Sequence, residues 1–279
     1  MSSHRSLWLA LLAGNALAAG DGFLLGGGVE TDSEDAIRVS LLGGFGTGEN
    51  TWLSGALSES SVELPSGRSI DTLYADLGLD HWFDPVGVRL GVSYWGDSEV
   101  LDSNDGHAAL YWRGDKVTLG VEYEFRDFDF TVPPTDLTAG REFTFDADGL
   151  AASARFELSD DVSMSLAGKT YDYSVDFAPL ENRDVIRLIS VSRLSLINSL
   201  IESRASLGFA IDRGLKRWEL DFSTWAGEVD KSRTRSVTVR YLMPLSGRTD
   251  IEFGLGYDDS DLYGDVTFFS IFLYLYGSD

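Results

Sequence analysis

The chain of 279 residues has no cysteine, so no disulfide can staple its fold. Closure has to come from hydrogen bonding and packing alone. Proline is scarce, at 6 residues against 30 glycines. No apolar run reaches about 18 residues, which excludes a membrane-spanning helix. Bases are few as well, with 22 Lys and Arg against 45 Asp and Glu and a net charge of −23. That balance argues against a nucleic-acid partner. There is no zinc-ligand spacing, no P-loop and no G-x-S-x-G, and no cofactor or metal is expected. "DSNDG" at 102–106 matches only half of an EF-hand loop and lacks the closing Glu.

The first residues, "MSSHRSLWLALLAGNALAAG", carry His4 and Arg5, then an apolar run from Leu7 to Leu17, then Ala16-Leu17-Ala18. This is the pattern of a secretory signal peptide, residues 1–18, with cleavage expected after Ala18. The remainder, 19–279, is long for one sandwich and ordinary for one barrel.

The dominant periodicity is two. In "VGVRLGVSYW", Val86, Val88, Leu90, Val92 and Tyr94 fall on one face, with Arg89 and Ser93 on the other. "KVTLGVEYEFRDF", "GLAASARFEL" and "TDIEFGLGYD" repeat this, as half-buried strands do. The connections are sorted by length. Tight ones fall at 46–50, 83–87, 113–115, 158–161, 212–216 and 244–250. Longer, mostly acidic ones fall at 61–69, 96–106, 128–144, 174–185 and beyond, 226–235 and 258–265. The acidic blocks read as solvated loops or as places where divalent cations bridge to lipopolysaccharide.

These features, with the aromatic terminal run "VTFFSIFLYLY", resemble Gram-negative outer-membrane β-barrel proteins of the porin-like kind. The resemblance implies an all-β fold: one transmembrane, antiparallel, up-and-down barrel in the outer membrane, exported through the general secretory pathway. The alternating segments number about fourteen. Reading 183–204 as a hairpin makes sixteen, and losing the glycine-rich first pair makes twelve. The 183–204 stretch otherwise reads as a helical or loop insertion, with Leu194, Ile197, Leu200 and Ile201 three and four apart. The resemblance also implies that the last strand is read by the outer-membrane assembly machinery, with Tyr276 as its closing aromatic. The expected surroundings are outer-membrane lipid and lipopolysaccharide, and no residue marks an oligomer face.

A barrel wall shows one face to lipid and the other to the lumen. The alternation assigns Asp76, Asp80, Glu122, Glu124, Glu157, Glu219, Asp221 and Glu252 to the lumen. With them go Arg89, Arg126, Arg155, Arg204, Arg217 and Arg240. These charges either pair across strands and fill the interior or line an aqueous, cation-favouring channel. The width of a fourteen-stranded ring points to a water-filled lumen. Aromatics near strand ends are expected to form girdles: Tyr94, Trp95, Phe125, Phe128, Tyr171, Trp225 and Tyr257 at one rim, and Trp82, Phe83, Trp218 and Tyr276 at the other.

The terminal strand is unusual in having two apolar faces. Phe268, Phe272, Tyr274 and Tyr276 take one, and Phe269, Ile271, Leu273 and Leu275 the other. Something apolar should therefore pack inside the lumen beside it, and 183–204 is the candidate, giving a partly plugged barrel.

Catalysis has little support. His81 reads as a girdle residue and His107 as a loop residue. Neither has a Ser two positions on, the arrangement of outer-membrane phospholipases, so no catalytic residue is assigned. Asp102, Asp105 and His107 offer a weak protease-like set. The first expectation is a porin-like channel for passive passage of small polar or cationic solutes. The second is a structural or interaction barrel of an envelope or export system, and the third an outer-membrane lipase or protease.

Overall fold

A computed structural model describes residues 22–48, 50–63, 69–97, 101–132, 141–175, 200–229, 231–261 and 264–277. Fourteen strands occupy them: β1 Phe23–Asp32, β2 Ile37–Gly48, β3 Thr51–Glu63, β4 Ser69–Trp82, β5 Val86–Gly96, β6 Leu101–Arg113 and β7 Val117–Val132. The second half has β8 Arg141–Ser159, β9 Val162–Tyr173, β10 Ile201–Arg213, β11 Lys216–Gly227, β12 Arg233–Ser246, β13 Thr249–Ser260 and β14 Gly264–Gly277. Each strand pairs antiparallel with its chain neighbours, and β1 pairs with β14, so the sheet is a closed ring. Closure gives every strand two partners and leaves no free edge.

Alternation decides which way each side chain points. Leu77, Val92 and Leu255 face out and are 60%, 59% and 57% exposed. Their inward neighbours on the same strands, Asp76, Arg89 and Asp258, are buried. The exterior is thus an apolar band around a polar interior, the reverse of a water-soluble barrel.

The tight turns gather at one end of the ring, and every connection longer than three residues lies at the other. Two or three residues join β2–β3, β4–β5, β6–β7, β8–β9, β10–β11 and β12–β13. In the two-residue β10–β11 turn, Gly214 takes φ 65°, a left-handed conformation that other residues adopt at a cost.

The strand count is fourteen, so the glycine-rich first pair stays in the ring. Several strands extend past their expected limits at the long-connection end. β6 begins at Leu101 rather than 107, and β7 and β8 reach Val132 and Arg141. The acidic residues of these extensions alternate like the rest. The stretch 102–106 is strand, and "DSNDG" is no loop. Of the 183–204 segment, residues 201–204 open β10, and 176–199 lie outside the described residues.

Candidate functional site

All fourteen charged residues assigned to the lumen occupy inward positions. Asp76, Asp80, Arg89, Glu124, Arg126, Arg155 and Arg240 are buried there. Glu122, Glu157, Arg204, Arg217, Glu219, Asp221 and Glu252 are half-buried on the same face. Cross-strand pairing gathers most of them into two networks.

The first network spans β4 to β9. Arg126 donates from Nε to Asp105 Oδ1 at 3.1 Å and from Nη2 to Ser103 Oγ at 3.1 Å. Its Nε lies 3.6 Å from Glu124 Oε1, and its guanidinium stacks 4.6 Å over the Phe128 ring. Lys169 Nζ donates to Glu122 Oε1 at 3.0 Å and also to Glu124. The Tyr171 hydroxyl donates to the other Glu124 oxygen at 3.1 Å. Arg89 Nε sits 3.9 Å from Asp80. Lys169, on β9, joins them from the face opposite Val162, Met164 and Leu166, although it was not among the residues expected in the lumen.

The second network spans β8 to β12. Arg217 Nε donates to Glu219 Oε1 at 2.7 Å, and Arg217 Nη1 lies 3.5 Å from Asp212. Arg240 Nη2 bridges Glu219, at 3.0 Å, and Asp221. Arg155 Nε donates to Glu157 Oε1 at 2.7 Å. Arg204 stacks 5.3 Å over Trp225. Charges so withdrawn from bulk water keep their ionised forms only while each retains a counter-charge or hydrogen-bond partner.

The expected aromatic girdles divide by strand parity. Phe83, Trp218 and Tyr257 are exposed on the exterior, and Tyr94 is half-buried on that same face. Trp95, Phe128 and Trp225 are buried in the interior instead, because they share the parity of Arg89, Arg126 and Glu219. Trp82 also points inward, stacked on Tyr111 and capped by Arg113 at 3.9 Å. Tyr276 turns in and donates its hydroxyl to Asp250 at 2.9 Å. These five leave the girdle, and so does Tyr171, whose hydroxyl bonds inward to Glu124. Phe125 and Tyr123 face out from the middle of β7, and Trp112 and Phe143 are exposed on the exterior near strand ends. At the long-connection end, Tyr74, Trp95, Leu101, Phe128, Phe130, Phe145 and Leu200 form an apolar cluster inside the ring.

The two-faced β14 finds its apolar complement in glycine. Inward Phe268 lies over Gly256 of β13, its Cζ only 2.0 Å from where a Cβ would sit. Phe272 lies over Gly28 of β1 in the same way, with its Cγ at 2.4 Å. Both rings are 1% exposed.

His107 sits in mid-β6, paired with Gly91 and Glu124, and not in a loop. Its half-buried ring leans across Gly91 inside the barrel. Asp102 has the opposite parity and Asp105 is held by Arg126, so the three do not share a face as a protease-like set requires. His81 faces out, 2.7 Å from the Thr51 hydroxyl. In the 228–232 connection, a hydrogen bond to Glu228 holds the Lys231 ammonium above its ordinary pKa.

No family model and no curated protein matches the chain. Among solved structures it is similar to a loop L8 deletion mutant of OmpT, an outer membrane protein of Vibrio cholerae. That likeness has 8% identity and a TM-score of 0.51, and covers 92% of this chain and 99% of the other. It is also similar to the deltaS2S3 mutant of TodX, a monoaromatic hydrocarbon channel. Here identity is 10% and the TM-score 0.56, over 94% of this chain and 91% of the other. At such identities the likeness is one of fold. The chain has the barrel architecture found in outer-membrane porins and channels.

Proposed function

We propose that the protein is an outer-membrane channel, exported through the general secretory pathway, for passive passage of small polar or cationic solutes. One observation carries the reading: a closed fourteen-stranded ring turns its apolar residues outward and its ionised residues inward. An exterior of that composition suits hydrocarbon, where every backbone polar group must be paired within the wall. A charged interior suits water and ions. The acidic connections at one end fit the outer surface, facing lipopolysaccharide.

Reconstitution in planar lipid bilayers tests this. Purified folded barrel should give stepwise conductance, with a reversal potential in a salt gradient that marks cation preference. A folded barrel that stays silent would rule the reading out.

A further inference from the structure

Most arginines of the wall point inward, and Arg89, Arg126, Arg155 and Arg240 are buried there. Arg233 and Arg235, at the start of β12, do the opposite. Both are exposed on the exterior, while Thr234 between them and Ser236 beside them are buried. Residues two apart on a strand share a face about 7 Å apart, so the two guanidiniums stand side by side. They lie at the long-connection end, where Asp127, Asp129, Asp148 and Asp259 are the exposed charges of other strands. A basic pair is the exception on this rim.

Cross-strand register sets out the surroundings in rows. Arg235 is flanked by Thr224 of β11 and Asp259 of β13. The next row toward mid-barrel holds Phe222, Val237 and Tyr257, and the one after it Leu220, Val239 and Leu255. Phe222, Val237, Tyr257, Val239 and Leu255 are all exposed. A cationic row thus caps an apolar surface, with an interfacial Tyr at the boundary. The neighbouring carboxylates have other work. Asp261 accepts the Arg233 backbone N–H at 3.2 Å, and Asp265 accepts the Tyr257 hydroxyl. Glu228 and Glu202 take Lys231. Asp259 is then one carboxylate beside two guanidiniums, and the patch is locally positive on a chain of net charge −23.

A guanidinium forks onto phosphate oxygens better than any other side chain. The surface below it suits alkyl chains. A ligand complementary to both carries phosphate at the level of the arginines and acyl chains beneath, as an anionic lipid does. We propose that Arg233 and Arg235, with the Thr224 hydroxyl beside them, form an exterior site for the phosphate of a glycolipid of the outer leaflet, whose acyl chains lie over Phe222, Val237 and Leu255. This rests on the reading above for the outward placement of the long-connection end, and not on conduction. The contact is direct, so it needs no divalent cation between acidic connections and lipid.

The test is titration of the purified full-length barrel in detergent with lipid A, in EDTA, read by native mass spectrometry. Heat-modifiable gel mobility checks folding. R233Q/R235Q should weaken lipid A binding roughly tenfold, the scale of one or two charge-assisted contacts at a surface. R235Q alone supplies the readout if the double variant does not fold. R213Q/K216Q removes the same charge at the tight-turn end and should bind as the wild type does. Phosphatidylglycerol should bind more weakly than lipid A, and inorganic phosphate should not displace it. Unchanged affinity in R233Q/R235Q overturns the site. An equal loss in R213Q/K216Q overturns it in favour of a diffuse charge effect. Displacement by inorganic phosphate overturns it in favour of the free ion, and equally tight phosphatidylglycerol in favour of any anionic lipid. A wild-type barrel that binds lipid A at these arginines but stays silent in planar bilayers removes the channel and leaves the site.

Discussion

Two arcs of the same wall are filled in opposite ways. From β4 to β9 the inward positions hold Asp80, Arg89, Asp105, Glu124, Arg126 and Lys169, and each of these polar groups leans on another. At the β13–β14–β1 seam they hold Phe268, Phe272 and Tyr274, each leaning on a glycine. In the charged arc, stability depends on partners that attract, and removing one strands the other in a dry site. In the seam it depends on a partner with no side chain, and adding one atom is the disturbance. The same alternation thus yields one arc that fails by deletion and one that fails by insertion.

Arg126→Met should give the largest loss. It leaves Asp105 and Glu124 facing each other in the interior, and the expected cost is about 3–5 kcal/mol in urea-induced unfolding from lipid vesicles. A cost below that of a seam variant would show that the charged arc is not held by pairing. Gly28→Ala comes next. Its new Cβ would lie 2.4 Å from both the Ile271 carbonyl oxygen and the Phe272 ring. Overpacking of this kind should cost about 1–3 kcal/mol in the same assay, with an ordered seam lost first from hydrogen-exchange protection. Glu157→Gln should cost least, within about 0–1 kcal/mol, because a well-solvated partner contributes little. The Glu157 side chain is 41% exposed although it accepts a good hydrogen bond from Arg155. A large loss there would blur the line between buried and solvated pairs on which the comparison rests.

The barrel was legible wherever the two faces of a strand contrast. Arg89 between Val88 and Leu90, or Glu124 between Tyr123 and Phe125, reveals its direction through its neighbours. Contrast failed in two ways. In β9 the contrast is confined to Val162, Met164 and Leu166, and Lys169 beyond them has only Gly168 and Thr170 beside it. With aromatics the residue type itself was ambiguous, since a Trp at a strand end suits a lipid interface and an interior stack equally well. Trp95 and Tyr94 are adjacent, and only parity separates the buried one from the outward one. The inward apolar face of β14 was visible, but its complement was not. Gly28 and Gly256 read as weak strand residues, and their use as seats for Phe272 and Phe268 depends on a cross-strand register that no local pattern encodes. His107 was misplaced because an acidic stretch reads as loop, although here Asp102 points outward and Asp105 inward on a fully paired strand.

The pairing of β1 with β14 also orders events in time. It sets Phe23 opposite Gly277 and Asp32 opposite Phe268, so the last row of hydrogen bonds joins the two ends of the described chain. All the other pairings link strands that follow one another and can form as hairpins while the rest of the chain is absent. The final one spans nearly the whole sequence and carries the greatest loop-closure entropy. Until it forms, two rows of unpaired N–H and C=O groups are open to any other strand. Assembly therefore has a latch, and the apolar run from Val266 to Tyr276 is the part that shuts it.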